Sequence, residues 1–397
     1  MAFKFDITAT TLFGLEEILA EELRILGAED IVVLNRAVQY RGDLALLYKS
    51  NLMLRTAIKI LKPIKSFRAF NEDQLYHHVK KIKWDVYFNP NMTFAIDGST
   101  SGEIFTHSKY AALKSKDAIA DQFRDLYNIR PSVDTENPDV RINIHISNEV
   151  VHVSLDSSGN ILSKRNYRLN QTEASMNEVL AAGIIQLSGW DRTSDFMDPM
   201  CGSGTIAIEA AMYAYNIPPG KKRSFGFQTW LDYDEKLWQE IKNEADAQTL
   251  TFNGKITAGE MDKKALDIAI KNAERAGVRD LINFEEKDFF ETSYNGERGH
   301  VIINPPYGER IEVDQIIDFY KNMGTRLKHF YAGCNAWVIS SNLEALKHFG
   351  LRPTRKIKLF NGPLECRLFK FELYKGSKRN GPNLDTTQKP VDSDKEE

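Results

Sequence analysis

Residues 198–211 read DPMCGSGTIAIEAA, and the fold turns on how they are understood. Ser194-Asp195-Phe196-Met197 just before them has the character of the end of a buried strand. Gly202 and Gly204 form a tight turn, and residues 205–214 follow as an apolar helix. A residue without Cβ adopts φ > 0 easily and lets the backbone approach a ligand, which the free N–H groups of a helix start then face. The spacing is not G-x-G-x-x-G and no Lys follows, so neither a dinucleotide fingerprint nor a triphosphate loop is spelled out. On the glycines alone, an ordinary strand-to-helix turn is as good a reading as a ligand loop.

The rest of the chain sets the bounds. Its 397 residues, 42% of them apolar, are enough for two or three domains with a substantial core. No stretch reaches the roughly 18 uninterrupted apolar residues of a membrane span, and a cytoplasmic protein is expected. Cys201, Cys334 and Cys366 lie far apart with no C-x-x-C pair, which speaks against a disulfide framework and against a metal site. A net charge of -3 gives no global sign of a polyanion partner, so any nucleic-acid surface has to be local.

From the amino terminus, alternating Phe3, Phe5 and Ile7 signal a strand, and Leu15, Ile18, Leu19 and Leu23 recur at helical spacing. Ile31 to Leu34 is a strand, and residues 43–50 form a helix opening on Asp43. This is a small α+β unit over residues 1–60. A second unit, 61–160, has a strand at 94–98, a helix over 107–123 carrying Lys116 beside its apolar stripe, and paired strands Ile142/Ile144/Ile146 and Val151/Val153/Leu155. It closes on Lys164-Arg165-Asn166-Tyr167-Arg168. The pattern from Phe94 to Arg168 resembles a THUMP domain, a module found beside RNA-modifying enzymes, which implies RNA contacts for Lys116, Arg165, Tyr167 and Arg168. Asn166 stands where such a run usually has glycine, a position asparagine can hold with φ > 0.

Residues 174–187 form a helical run with Met176, Val179, Leu180, Gly183 and Leu187 on its apolar side. Beyond the glycine turn, Lys221, Lys222 and Arg223 with Phe225 and Phe227 combine cations and rings, either to hold a flexible strand or as a surface insertion anchored by its aromatics. Strand 255–260 then ends on the acid Glu260, with Met261 next to it and Asp262 capping a helix. One helix later comes Asp288-Phe289. The set Asp198, Glu260 and Asp288 at successive strand ends, after DPMCGSGT, resembles the class I S-adenosylmethionine-dependent methyltransferases. That resemblance implies an α/β Rossmann-like domain over 161–375 with a mostly parallel seven-stranded sheet, preceded by ferredoxin-like and THUMP units. It also implies a cofactor site built from Asp198, Pro199, Cys201, Gly202, Gly204 and Thr205, with Asn177 over the methionine end, Glu260 and Met261 at the ribose, and Asp288 and Phe289 at the adenine.

The most informative stretch is an apolar strand from His300 that ends in Asn304-Pro305-Pro306-Tyr307. Two prolines restrict the backbone and hold the Asn304 amide and the Pro305 carbonyl in place. If both accept hydrogens from a planar amino group, its nitrogen turns its lone pair toward an electrophile, which is catalysis by orientation and by stabilising developing positive charge. Tyr307 would stack on the base, a contact worth roughly 1–3 kcal/mol. This resembles the NPPY motif of amino-directed methyltransferases, which serves adenine, guanine and glutamine amides alike.

The THUMP-like half favours RNA. Nearly the whole chain from Phe3 to Tyr374 is similar to the bacterial enzymes that form guanine-N2 methylation on 23S ribosomal RNA, free or in an assembling large subunit. It matches the amino-terminal part of a bifunctional enzyme, so a second activity is not expected. A DNA adenine methyltransferase and a non-catalytic RNA-binding assembly factor remain as rivals. The Gly, Pro, Asp, Lys and Glu of residues 376–397 predict a disordered tail.

Overall fold

The computed structural model describes residues 3–168, 176–306 and 313–374. The amino-terminal half is β1 (Phe5–Thr11), α1 (Glu16–Ile25), β2 (Glu29–Leu34), β3 (Ala37–Gly42), α2 (Leu44–Met53), β4 (Ala57–Arg68), α3 (Glu72–Lys80), β5 (Phe94–Ser101), α4 (Ser108–Tyr127), β6 (Val140–Ser147) and β7 (Val150–Asp156). These strands make one sheet of order β2-β3-β1-β4-β7-β6-β5. The 12-residue β4 joins its two parts, since Leu61 pairs with Thr8 of β1 on one side and with Asp156 of β7 on the other. Pro63 is tolerated in this central strand because it sits at a register shift, where its missing N–H breaks no ladder. The alternation read in the sequence is real burial: Ile142, Ile144, Ile146, Val151 and Val153 are fully covered, each contributing about 1.5–3 kcal/mol.

The second half contains α5 (Glu178–Leu187), β8 (Asp195–Asp198), α6 (Thr205–Ala214), α7 (Glu235–Ala247), β9 (Ile256–Glu260), α8 (Lys263–Ala276), β10 (Asn283–Glu286), β11 (Gly299–Ile303), α9 (Val313–Phe330), β12 (Cys334–Ser340), α10 (Leu343–Lys347), β13 (Arg355–Asn361) and β14 (Leu364–Glu372). Its seven strands run in the order β10-β9-β8-β11-β12-β14-β13, parallel except for β14. The chain leaves β8 toward β9 and β10, then crosses back to β11 on the other side. That reversal opens a crevice between the ends of β8 and β11, the usual place for a ligand in such sheets.

The halves are fastened by polar contacts. The Glu22 carboxylate of α1 accepts from the amides of Arg55 and Thr56, the Thr56 hydroxyl and the Gln186 side chain on α5. The segment after α6 reaches into the amino-terminal core, where the Phe227 ring stacks on Tyr48 at 4.1 Å and lies edge-on to Trp238 at 5.2 Å. Among the described residues, no helix is long and apolar enough to cross a membrane.

Candidate functional site

Beneath the glycine turn, Asp198 closes β8 with 1% of its surface exposed. Neither of its carboxylate oxygens has a hydrogen bond of normal geometry, although the amides of Ala207 and Met200 lie near enough to ease its charge. Burial pushes its carboxyl up to about 8, and the Glu260 charge adds to the rise. Gly202 and Gly204 have φ of 52° and 80°. A Cβ on Gly204 would come within 2.9 Å of Ala269 on α8, so turn and helix lock together, whereas the Cβ position at Gly202 faces open space. The loop is tied down twice more, by the Cys201 N–H on the Gly259 carbonyl and by the Asn272 amide on the Ser203 carbonyl.

Glu260, ending β9, accepts from the Gly202 amide at 2.9 Å and the Asp262 amide at 3.0 Å. Two amides fix the carboxylate while leaving lone pairs for hydroxyl donors. A cavity of about 230 Å³ lies here, lined by Asp198, Cys201, Gly202, Thr205, Met176 and Asn304 among others. Asn304 follows β11 directly, across the crevice from Asp198, and Pro305 behind it is buried. Thus Asp198, Cys201, Gly202 and Thr205 of the expected loop share one cavity with the expected amide, while Pro199, Gly204 and Glu260 are not among its lining residues. An orphaned buried carboxylate, an open glycine and a fixed strand-end acid suit a cationic, ribose-bearing ligand. Burial pushes the Cys201 thiol up, which leaves it a packing residue with no nucleophilic character.

Several expectations need correction. Asn177 is the N-cap of α5, its side chain accepting from the Val179 and Leu180 amides, and its neighbour Met176 lines the cavity instead. The helix expected over 174–187 accordingly begins at Glu178. Phe289 is 2% exposed, stacked on Tyr331 in the core, so its ring is not open to a ligand. Asp288 caps the turn after β10 by accepting from the Phe290 amide, and Met261 is 69% exposed; like Glu260, neither is among the residues lining the cavity. Tyr307 and the tail beyond residue 374 lie outside the described residues.

The basic candidates divide. Arg165 is 3% exposed and donates to the carbonyls of Leu162 and Arg55 beside the buried Glu209, and the Tyr167 hydroxyl donates to that same carboxylate. These two are core residues and do not meet RNA. Arg168 is tied to Glu178 at 2.6 Å, to the Met176 carbonyl and to the Thr205 hydroxyl, so it props the wall of the cavity. Asn166 between them has φ 66°, the conformation that made asparagine acceptable there. The Arg223 guanidinium donates to the carbonyls of Ser158, Asn160, Ile161 and Lys164, and Phe225 and Phe227 are buried, which removes all three from base or phosphate contact. Lys221 and Lys222 are exposed, paired with Asp246 and with the Arg275 carbonyl, and Lys116 lies against Asp117. Asn272, which ties the turn from 69 residues away, is a residue that local sequence could not reveal, while Arg168 and Met176 carry other roles there.

Comparison with known proteins agrees with this layout. Residues 165–370 match the model of the RMKL-like methyltransferase domain, 69–156 the THUMP domain, and 6–61 the RlmL ferredoxin-like domain. A Synechocystis protein described as a candidate RNA methyltransferase is 38% identical over 369 residues, covering 92% of this chain and 96% of its own. The ribosomal RNA large subunit methyltransferase K/L of Methylococcus capsulatus is 38% identical over 377 residues, 93% of this chain; the chain spans 51% of that relative's length. Among solved structures, a candidate methyltransferase complexed with SAH superposes with a TM-score of 0.86 at 31% identity, over 95% of this chain and all of its own. A Listeria monocytogenes protein assigned by inference as an N6-adenine-specific DNA methylase gives 0.84 at 29% identity, over 94% and 97%. The chain belongs to the RMKL-like methyltransferase family, with RlmL ferredoxin-like and THUMP domains ahead of its methyltransferase domain.

Proposed function

We propose that this chain transfers a methyl group from S-adenosylmethionine to the exocyclic N2 of a guanosine in 23S ribosomal RNA. The observation that carries the reading is Asn304 on the wall of the cavity that also holds the unpartnered Asp198 carboxylate. When bound, the cofactor supplies an electrophilic methyl on a sulfonium. Asp198 offers its buried carboxylate to the positive charge of the methionine end, and Glu260 takes the ribose hydroxyls. Asn304 and the Pro305 carbonyl accept the two amino hydrogens of the base, which aims the nitrogen lone pair at the methyl. Once methylated, that nitrogen would pass its extra proton to water. A paired base cannot reach such a pocket, so the target is unpaired or flipped at a cost of a few kcal/mol. Support for RNA comes from the THUMP match and from the names of the relatives.

Asn304→Ala is expected to abolish measurable methyl transfer while calorimetry still detects cofactor binding; wild-type turnover would remove Asn304 from the chemistry. The DNA-adenine reading is favoured by the description of the Listeria relative. Tritiated methyl transfer to RNA against DNA, followed by nucleoside analysis, decides between them. Mass spectrometry of ribosomal RNA from a strain lacking the gene fixes base and position together.

A further inference from the structure

We propose that the outer face of the β13–β14 hairpin, completed by Phe13 from the amino-terminal unit, holds the RNA strand flanking the target nucleotide. This rests on the RNA reading above. The chain carries a net charge of -3, yet the cross-strand rows Lys356–Phe369, Lys358–Arg367 and Phe360–Glu365 set three cations against one carboxylate on this face. The charge is interleaved with rings. Lys358 Nζ lies 5.2 Å over the Phe360 ring, and Phe360 meets the ring of Phe13 at 5.4 Å and 85°, while Phe369 beneath Lys356 belongs to the core. Phe13 is 37% exposed, and the side chains of Lys358 and Arg367 are 48% and 43% exposed. Cations that grip phosphates beside rings that stack bases are what a single strand binds.

Sheet register brings this face to the catalytic edge. Ile303, the residue before Asn304, pairs with Val338, which pairs with Phe369 and through it with Lys356. Two residues further toward that edge the row is Ser340, Arg367 and Lys358, and Phe360 opposite Glu365 lies beyond. Three strand spacings put β13 about 14 Å from β11. The loop before α1 seals the outer side: a Cβ on Gly14 would fall 3.0 Å from the Lys358 carbonyl oxygen and from Leu359. The amino-terminal unit and the methyltransferase sheet thus build the surface together.

One carboxylate opposes the assignment and gives it a sign test. Glu365 lies 2.7 Å from Lys358 Nζ and 3.9 Å from the Arg367 guanidinium, where a phosphate would sit. Binding of fluorescein-labelled poly(U) is measured by anisotropy across a salt series. In the double variant Lys358→Ala with Arg367→Ala, affinity should fall about tenfold at low salt and the slope of log K against log salt should shrink by about 1.4, since each phosphate contact on a single strand contributes about 0.7. Glu365→Gln should bind about two- to threefold tighter, where a merely structural role would weaken it like the others. At saturating ribosomal RNA the double variant should keep its kcat and show a raised KM. An unchanged slope in the double variant, or weaker binding by Glu365→Gln, overturns the proposal. So does a loss seen only with intact large subunits, which would assign the face to a protein partner. A wild-type chain that methylates no RNA defeats the underlying reading; one that methylates RNA while the double variant keeps its slope defeats this inference alone.

Discussion

Two stretches of this chain look equally functional on paper and are opposite in the folded molecule. The turn at 198–205 holds an acid and two glycines; the linker at 164–168 holds three cations and a tyrosine. In the turn, the Asp198 carboxylate is buried with unmet hydrogen-bonding capacity and faces a cavity. In the linker, Arg165 and Tyr167 converge on Glu209 of α6 and on main-chain carbonyls, with little left to offer a ligand. A buried polar group left unsatisfied is costly, and where it also lines a cavity its retention points to something that binds there. Glu209 Oε2 likewise lacks a hydrogen bond, but Glu209 is not among the residues lining that cavity and is paired with Arg165. Asp198 and Arg165 are both buried, so unmet capacity on the wall of a cavity separates site from scaffold better than exposure or residue type does.

The sharpest way to break this contrast is Arg165→Ala. The pair it forms with Glu209 has side chains 2% and 0% exposed, and removing one partner strands the other charge in the interior. Urea unfolding should show a loss of about 3–5 kcal/mol. RNA affinity per folded molecule should be unchanged. A variant that is as stable as wild type but binds RNA poorly would return Arg165 to the binding surface.

Asp198→Asn tests the other side. Losing a charge-assisted contact worth about 1.5–3 kcal/mol should weaken cofactor binding roughly 10- to 100-fold in calorimetry. Stability should move the opposite way. A carboxyl raised to about 8 keeps its proton in the folded chain where the unfolded chain has lost it, so its contribution is present at low pH and is lost as pH climbs toward 8. The asparagine variant should therefore be the more stable protein at pH 8 and above. Wild-type cofactor affinity should rise as pH increases toward 8, since the carboxylate is the binding form, and the variant's should stay flat. A flat wild-type profile would mean that Asp198 is already ionised without the ligand.

How much of this was legible follows the range of the forces. DPMCGSGT, the cap at Asp262 and the alternation of Ile142, Ile144 and Ile146 are local patterns, and helix α6 runs over the residues its apolar content suggested. The turn between β13 and β14 is tight, because pairing extends to Asn361 opposite Leu364. Phe225 and Phe227 read ambiguously because what buries them, Tyr48 and Trp238, comes from α2 and α7. Arg165 was misread for the same reason: its acceptor on Arg55 lies 110 residues away. Long side chains advertise charge in the sequence, and only the fold says whether backbone carbonyls have claimed it.

Lys222 gives the smallest effect and the finest discrimination. It neighbours Arg223, whose guanidinium is surrounded by four carbonyls, yet its own Nζ donates to a single carbonyl, that of Arg275, from an exposed position. One exposed contact of this kind is easily exchanged for water or for a phosphate, so Lys222→Ala should change stability by no more than about 0.5 kcal/mol. If Lys222 meets RNA, the same variant lowers the salt slope of binding by about 0.7. An unchanged slope would mean that the cation run at 221–223 belongs wholly with the linker as scaffold. A reduced one would split that run between adjacent residues, Arg223 holding the domains together and Lys222 reaching outward.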